Sequence, residues 1–334
     1  VRGVTGAVAE PRIRIDDRLN GSAGADLAAE VRDGLRRAPL KELPAKLFYD
    51  ARGSELFDRI TQLPEYYPTR CERSILNRRA PEIVAAAGAH ELVELGSGSA
   101  SKTRALLFAM AGAGALRRYV PVDVSAEPVA RCAEELCEVY PGLEIHGLIG
   151  DFHHDLVHLP EGEQRLFAFL GGTIGNFMPN ERLDFLAGLS ELMGPDDRLL
   201  LGTDLVKDVD TLEAAYDDVA GVTAEFNRNA LRVVNRELGA DFAVERFEHR
   251  AFFDERESWI EMRLRSLDAV VVNVPGAGVE VAFEPGEEIR TEISAKFTRA
   301  RVEHDLAAAG MTLERFWTDD AEWFGLSLAR ASAP

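Results

Sequence analysis

Short apolar runs alternate with amphipathic stretches between residues 82 and 206. The runs near 91–95, 119–124, 143–149, 165–170 and 198–206 are rich in Leu, Val, Ile and Phe and end at Gly, Asp or Ser, which predicts strands. The segments between them repeat apolar residues at spacings of three and four, the period of a helix with one buried face. Strands alternating with helices predict an α/β fold built on a doubly wound parallel sheet. Such a fold closes with one more helix and a hairpin. Both are present, at 297–310 and at 311–317 with 323–330, but only after the stretch 207–295. That stretch is therefore an insertion. It opens with helical periodicity over 211–238, and then alternation predicts strands at 248–254, 259–267, 270–274 and 287–294. The expected organisation is a sheet domain over 70–206 plus 296–330 and a small α+β lid over 21–69 plus 207–295. Residues 1–20 are expected to form a flexible tail.

The chain has 334 residues, of which 46% are apolar, and a formal charge of −19. A nucleic-acid phosphate backbone is repelled by such a field, so a nucleic-acid substrate is not expected. No 18-residue apolar run occurs, and a membrane span is not expected either. Cys71, Cys132 and Cys137 form neither a C-x-x-C pair nor an even set, which fits a reducing, cytoplasmic setting. His153, His154 and His158 cluster, and the last two have a spacing that zinc ligands on a helix can use. No third ligand stands in a recognisable pattern, so a solvated loop is the expectation and no metal is assigned.

Candidate chemistry begins after the first strand, where Glu94 precedes Gly96 and Gly98 and a helix follows from about Lys102. A glycine turn between strand and helix lets a ligand approach the backbone and meet the helix N-terminal amides. Three ligand classes suit such a loop. A nucleotide phosphate loop and a dinucleotide fingerprint each require a further glycine where Ser101 stands. The acidic-x-G-x-G loop that binds S-adenosylmethionine is complete. The second strand ends in Asp123, placed to take both ribose hydroxyls of an adenosine, and the third ends in Asp151 and Phe152, an acid and a ring suited to an adenine. The expected cofactor is S-adenosyl-L-methionine.

Other segments carry a family likeness. Residues 47–58 and 63–70, Gly171 to Asn176, Gly202 to Asp208, Ala215 to Asp218, Phe226 to Asn229, Asn235 to Glu237 and Thr291 to Phe297 resemble the L-histidine Nα-methyltransferases of ergothioneine biosynthesis. The likeness covers nearly all of the chain beyond residue 20. It implies a class I, Rossmann-like methyltransferase with an inserted substrate-binding domain, acting as a monomer on free L-histidine and adding up to three methyl groups to give hercynine. It implies Gly96, Lys102, Asp123, Asp151 and Phe152 on the cofactor. Tyr66, Asn176 and Tyr216 would hold the substrate carboxylate; Tyr49 and the backbone at Gly171 would face the amine. Glu292 and Ser294 would hold the imidazole, with Phe226 and Met262 packed beside it. Tyr49 and Asn176 are the candidate catalytic residues.

Each residue has a plainer explanation taken alone. Tyr66 next to Pro68 suits a turn, Tyr216 the edge of a helix, Phe226 and Met262 an ordinary core, and Glu292 in a strand a solvent-facing position. A methyltransferase for another aromatic amino acid, or a cofactor-binding protein without catalysis, uses many of the same residues. Glu292 and Ser294 favour a polar ring.

Overall fold

The computed structural model describes residues 12–19, 23–98, 100–152 and 154–332. In chain order, β1 (Ile13–Asp17), α1 (Ala23–Leu35), β2 (Lys41–Glu42), α2 (Ala51–Ile60) and α3 (Pro68–Ala87) come first. Then follow β3 (Glu91–Leu95), α4 (Arg104–Gly112), β4 (Arg118–Asp123), α5 (Ala126–Val139), β5 (Glu144–Ile149), β6 (Arg165–Phe169), α6 (Pro179–Leu192) and β7 (Arg198–Asp204). The inserted stretch holds α7 (Val209–Ala214), α8 (Val222–Leu238), β8 (Phe247–Asp254), β9 (Trp259–Ser266), β10 (Val270–Val274), β11 (Val279–Phe283) and β12 (Glu288–Ala295). The chain closes with α9 (Arg299–Ala308), β13 (Met311–Thr318) and β14 (Phe324–Ala331).

The main sheet has the order β1-β5-β4-β3-β6-β7-β14-β13. From β1 to β7 neighbouring strands are parallel, and β14 enters antiparallel between β7 and β13. Both faces are covered. Leu92 and Leu166 pack with Ile75, Leu106 and Leu107 on one side, and Val93 and Phe167 pack with Leu186 and Leu189 on the other. A strand buried on both faces reads as an unbroken apolar run. The strand order reverses between β3 and β6, which opens a crevice at their carboxyl ends.

A second, four-stranded sheet, β2-β12-β9-β8, lies with α8 and the β10-β11 hairpin. Its core draws Val31, Leu47, Phe48 and Leu56 from the N-terminal segment and Phe226, Leu231, Met262 and Leu264 from the insertion. The hydrophobic cluster thus joins the two stretches that are separate in sequence.

Three expectations are corrected. The tail expected over 1–20 contains β1, which pairs with β5 from Ile13↔Ile145 to Asp17↔Ile149. Ile13 and Ile15 alternate with Arg14 and Asp16, and Asp16 accepts a 2.9 Å bond from His146, so the edge strand has both an apolar and a polar anchor. Residues 1–11 and Asn20 lie outside the described residues. The single helix expected over 211–238 is two. Gly221 takes φ 69°, and the Asp218 carboxylate accepts from the amides of Val222 at 2.9 Å and Thr223 at 2.7 Å, restarting the helix as α8. Strand β11, which alternates Val279, Val281 and Phe283 inward, is additional.

Candidate active site

The glycine loop leaves β3 through Gly96 at φ 74° and Gly98 at φ 49°, a region that favours glycine. The amides of Gly96 and Ser97 donate to the Val122 carbonyl at 2.8 and 3.1 Å, tying the loop to β4. Asp123, at the tip of β4, accepts from the amide of Gly98 at 2.8 Å and from that of Ser125 at 2.9 Å. Its carboxylate is thus set against the loop. Ser99 lies outside the described residues.

Asp151 follows β5, and Phe152 packs on Phe169, Phe177 and Phe185 with ring centroids 5.4, 6.3 and 6.0 Å away. A side chain at Gly96 would come within 3.8 Å of the Phe152 ring. The glycine turn, the Asp123 carboxylate and the Phe152 ring thus lie at neighbouring strand ends, and an open backbone, a carboxylate and a ring are the donor set an adenosine requires, so these residues fit the cofactor. Of the three clustered histidines, His153 lies outside the described residues.

Glu94, the acid of the glycine motif, is buried and accepts from Thr103 and from the Tyr119 hydroxyl. Burial pushes its carboxyl up to about 7 against those bonds and the Lys102 ammonium. It ties β3 to β4 and to the start of α4.

Lys102 donates to Glu72 at 2.7 Å, and the other oxygen of Glu72 accepts from the amide of Gly171 at 2.6 Å. Glu72 is 0% exposed. It joins the helix after the glycine loop to the turn after β6, the two sides of the crevice. Sequence reasoning missed it. The available signal was an acidic residue three and four positions before Ile75 and Leu76, on the face that α3 buries.

Beyond Gly171 the turn 173–176 carries Asn176. A Cβ on Gly175 would stand 2.9 Å from the Ala295 carbonyl oxygen, so the turn lies directly against β12. This brings Asn176 beside the strand that carries Glu292 and Ser294.

That strand contains the feature that orients the substrate side. Arg290 pairs with Arg263 and Glu292 with Met262, so Thr291 is an extra residue, a bulge. Glu288 and Arg290 form ion pairs with Arg263 and Glu261 on the other face of the sheet. Plain alternation would keep Glu292 with them. The bulge reverses the phase, so Glu292 shares a face with buried Met262, and Ser294 follows on that face. Thr291 itself bonds to Asn227 at 2.6 Å and to the Met262 carbonyl at 3.0 Å, which pins the bulge to α8 and β9.

Aromatic residues surround this face. Phe226 stacks on Phe48 at 4.6 Å and meets Tyr49 edge-on at 6.3 Å. Phe57 meets Tyr66 at 6.1 Å, and Tyr66 meets Tyr216 at 6.2 Å. The Tyr216 hydroxyl lies 2.7 Å from the Ser294 hydroxyl. Tyr49 is 41% exposed. The protein around its hydroxyl, then Glu292 and Tyr216, nonetheless raise its pKa and keep it a neutral phenol. Burial also raises Tyr66 and Tyr216, each with Glu292 among the further causes. Glu292 is pushed up to about 7 by burial, held back by the Lys296 ammonium. Tyr49, Tyr66, Tyr216, Ser294 and Glu292 therefore face one space, with Phe226 and Met262 in the core behind it. The amide of Gly171 is given to Glu72.

The arrangement has the crevice at the β3–β6 switch point on one side and a polar-aromatic wall on the other. The profile of the histidine-specific, S-adenosylmethionine-dependent methyltransferases matches residues 27–331. The chain belongs to that family. It is 53% identical to a histidine N-alpha-methyltransferase of Mycolicibacterium smegmatis, over 92% of this chain and 96% of that one. It is 50% identical to a protein of the same name from Mycobacterium tuberculosis, over 95% and 99%. Ergothioneine biosynthesis protein 1 of Neurospora crassa is 31% identical over 83% of this chain, which spans 31% of that longer protein.

Within this methyltransferase, three further polar residues escaped the sequence reasoning. Asp204 at the end of β7 accepts from the Tyr67 hydroxyl at 2.8 Å and is paired with Lys207 at 2.7 Å and Lys296 at 2.8 Å. Burial alone would raise its pKa, but the two ammonium groups hold it below the usual carboxylate value. All three lie in the segments 202–208 and 291–297 that carry the family likeness, which is the trace they leave in sequence.

Proposed function

We propose that this methyltransferase moves the methyl group of S-adenosylmethionine to the α-amino nitrogen of L-histidine, up to three times, giving the betaine hercynine for ergothioneine biosynthesis. The observation that supports it most is the inward turn of Glu292 beside Ser294 and Tyr216. A carboxylate and a hydroxyl at a cavity wall suit a polar ring, and a site built to bond such a ring rejects analogues that lack the bond. Glu94 through Phe152 would hold the donor, with Asp123 on the ribose, Phe152 beside the adenine and Lys102 released from Glu72 to its carboxylate. Tyr66, Tyr216 and Asn176 would hold the substrate carboxylate with donors that add no charge. We place this reaction in the cytoplasm, on a free amino acid and by a single chain, a setting consistent with three free cysteines among the described residues.

The bound sulfonium supplies an electrophilic methyl carbon. The residues of the chain align the nucleophile with it, and alignment of this kind is worth up to roughly 7–11 kcal/mol of barrier. An α-amine has a pKa of about 8, so its neutral form is accessible without a strong base. Tyr49 stays a phenol at neutral pH, so it can accept a hydrogen bond from the amine and pass the proton to water, but it is no phenolate base. Its ring, with Phe57, Tyr66 and Phe226 nearby, offers π faces to the cation that methylation creates.

The test is mass spectrometry of histidine incubated with the purified chain and S-adenosylmethionine. Additions of one, two and three methyl groups are expected. Methylation of another aromatic amino acid but not of histidine would overturn the substrate, and binding of the donor with no transfer would overturn catalysis.

A further inference from the structure

The segments 202–208 and 291–297 each carry a lysine, Lys207 and Lys296, that none of the roles above uses. The Lys296 side chain is 0% exposed. Its ammonium lies 2.8 Å from Asp204, 3.0 Å from the Tyr216 hydroxyl and 2.8 Å from the Ser294 hydroxyl. An ammonium has three hydrogens and no acceptor, so these contacts use all three. Tyr216 and Ser294 must therefore both accept from Lys296. They also lie 2.7 Å apart, so one donates to the other. Each hydroxyl owns one proton, and one of the two is held inside the pair. A single proton is left over. Ser294 shares its strand face with Glu292, two residues away, which makes it the hydroxyl that presents this proton to the substrate ring.

We propose that Lys296 is a positioning residue of the substrate site, which by committing its three hydrogens to Asp204, Tyr216 and Ser294 makes the hydroxyl pair a single donor beside the Glu292 acceptor. The inference rests on the proposed histidine substrate and deepens it. One donor next to one acceptor is the complement of a neutral imidazole, which has one N–H and one bare nitrogen. An indole offers an N–H alone and leaves the donor unmatched. The assignment also alters the role of Tyr216. With Tyr216 donating to Ser294, Tyr66 and Asn176 hold the carboxylate.

The groups that face Glu292 are Tyr49 beside α2, Tyr66 before α3, Tyr216 after α7 and Lys296 after β12. Lys296 is the one cation among them. It favours the charged form of Glu292, so its removal should move the acid limit of histidine binding to higher pH.

The experiment is calorimetric titration of the whole chain with histidine, saturated with S-adenosylhomocysteine, across pH 6 to 9, a range set by ~1 unit either side of the titrating groups. Lys296→Met is expected to weaken histidine about tenfold or more, to leave S-adenosylhomocysteine affinity within about threefold, and to move the acid limit upward. Lys207→Met removes the other ammonium on Asp204 but touches neither hydroxyl, and should leave that acid limit in place. A Lys296→Met protein with unchanged histidine affinity and acid limit, or an equal shift in Lys207→Met, would overturn the proposal. A second measurement uses the unaltered protein and does not depend on how the variants fold. Thiazol-4-ylalanine and thiazol-5-ylalanine each have one bare nitrogen, at the two alternative ring positions, and thienylalanine has none. One of the thiazoles should bind more tightly than thienylalanine; if neither does, no proton is offered and the proposal falls. Unaltered protein that binds no histidine would instead remove the proposed function itself.

Discussion

In the proposed reaction, substrate choice turns on Glu292. Its carboxyl, pushed up to about 7, takes up a proton as the pH falls through that value and ceases to be a charged acceptor. Histidine affinity should therefore fall on the acid side of about pH 7, and titration calorimetry from pH 6 to 8 measures it. Glu292→Ala should weaken histidine by roughly 10–100-fold and leave S-adenosylhomocysteine binding nearly unchanged. Equal losses of both would show that the residue supports the fold and not the ring. Tyr49→Phe keeps the aromatic face but removes the oxygen proposed to accept from the amine. The proportions of mono-, di- and trimethylated histidine should shift, read by mass spectrometry at partial turnover. An unchanged distribution removes Tyr49 from that role. The strand-end positions of Asp123, Asp151 and Phe152 were legible from the apolar runs before them, and strand ends are where ligands sit in doubly wound sheets. Glu72, Asp204 and Lys296 were not, because a buried charge looks the same in sequence as one facing water.

At the scale of elements, β12 and the turn 173–176 determine where the polar wall stands. The strand was legible from its alternation, but the bulge at Thr291 was not. Alternation carried through from Glu288 puts Glu292 on the outer face, and only the pairing with β9 shows that the phase reverses. The break between α7 and α8 was likewise hidden, since the helical period continues across it while Asp218 and Gly221 interrupt the backbone. The turn makes its own prediction. A Cβ on Gly175 would meet the backbone of Ala295 at 2.9 Å for the oxygen and 3.1 Å for the nitrogen, atoms that a rotamer change cannot move. Gly175→Ala should cost about 1–3 kcal/mol of stability and weaken histidine binding through the displacement of Asn176, as thermal melts and calorimetry would register. A melt and an affinity both like those of the parent would mean the turn and strand are not in close contact.

The whole molecule divides its work between two cores. Strands β3 to β7 and the glycine loop were legible to within a residue or two from their unbroken apolar runs, whereas β1, short and alternating Ile with Arg and Asp at the sheet edge, was not. The insertion was legible as an interruption, and its partnership with residues 31–67 follows from a shared core that no sequence period announces. Two carboxyls raised to about 7, Glu94 and Glu292, tie stability to pH across both units. Each has a folded pKa above its unfolded value, so its contribution is complete below about pH 4.5 and is lost as the pH rises through about 7. Glu94→Gln should flatten this fall, with a gain for the ligand-free protein at pH 8 on the order of 3 kcal/mol at most. Melting temperatures of both proteins at pH 6 and pH 8 test the sign; a parent protein more stable at pH 8 would contradict it.

In the proposed reaction the inserted unit grips the ring of histidine while the sheet presents the methyl donor to its amine. A crystal structure of the chain with histidine and S-adenosylhomocysteine tests it most directly. The imidazole is expected between Glu292 and Ser294, the carboxylate on Tyr66 and Asn176, and the amine nitrogen pointing at the thioether sulfur. Histidine bound with its ring away from Glu292, or its amine away from that sulfur, would contradict it.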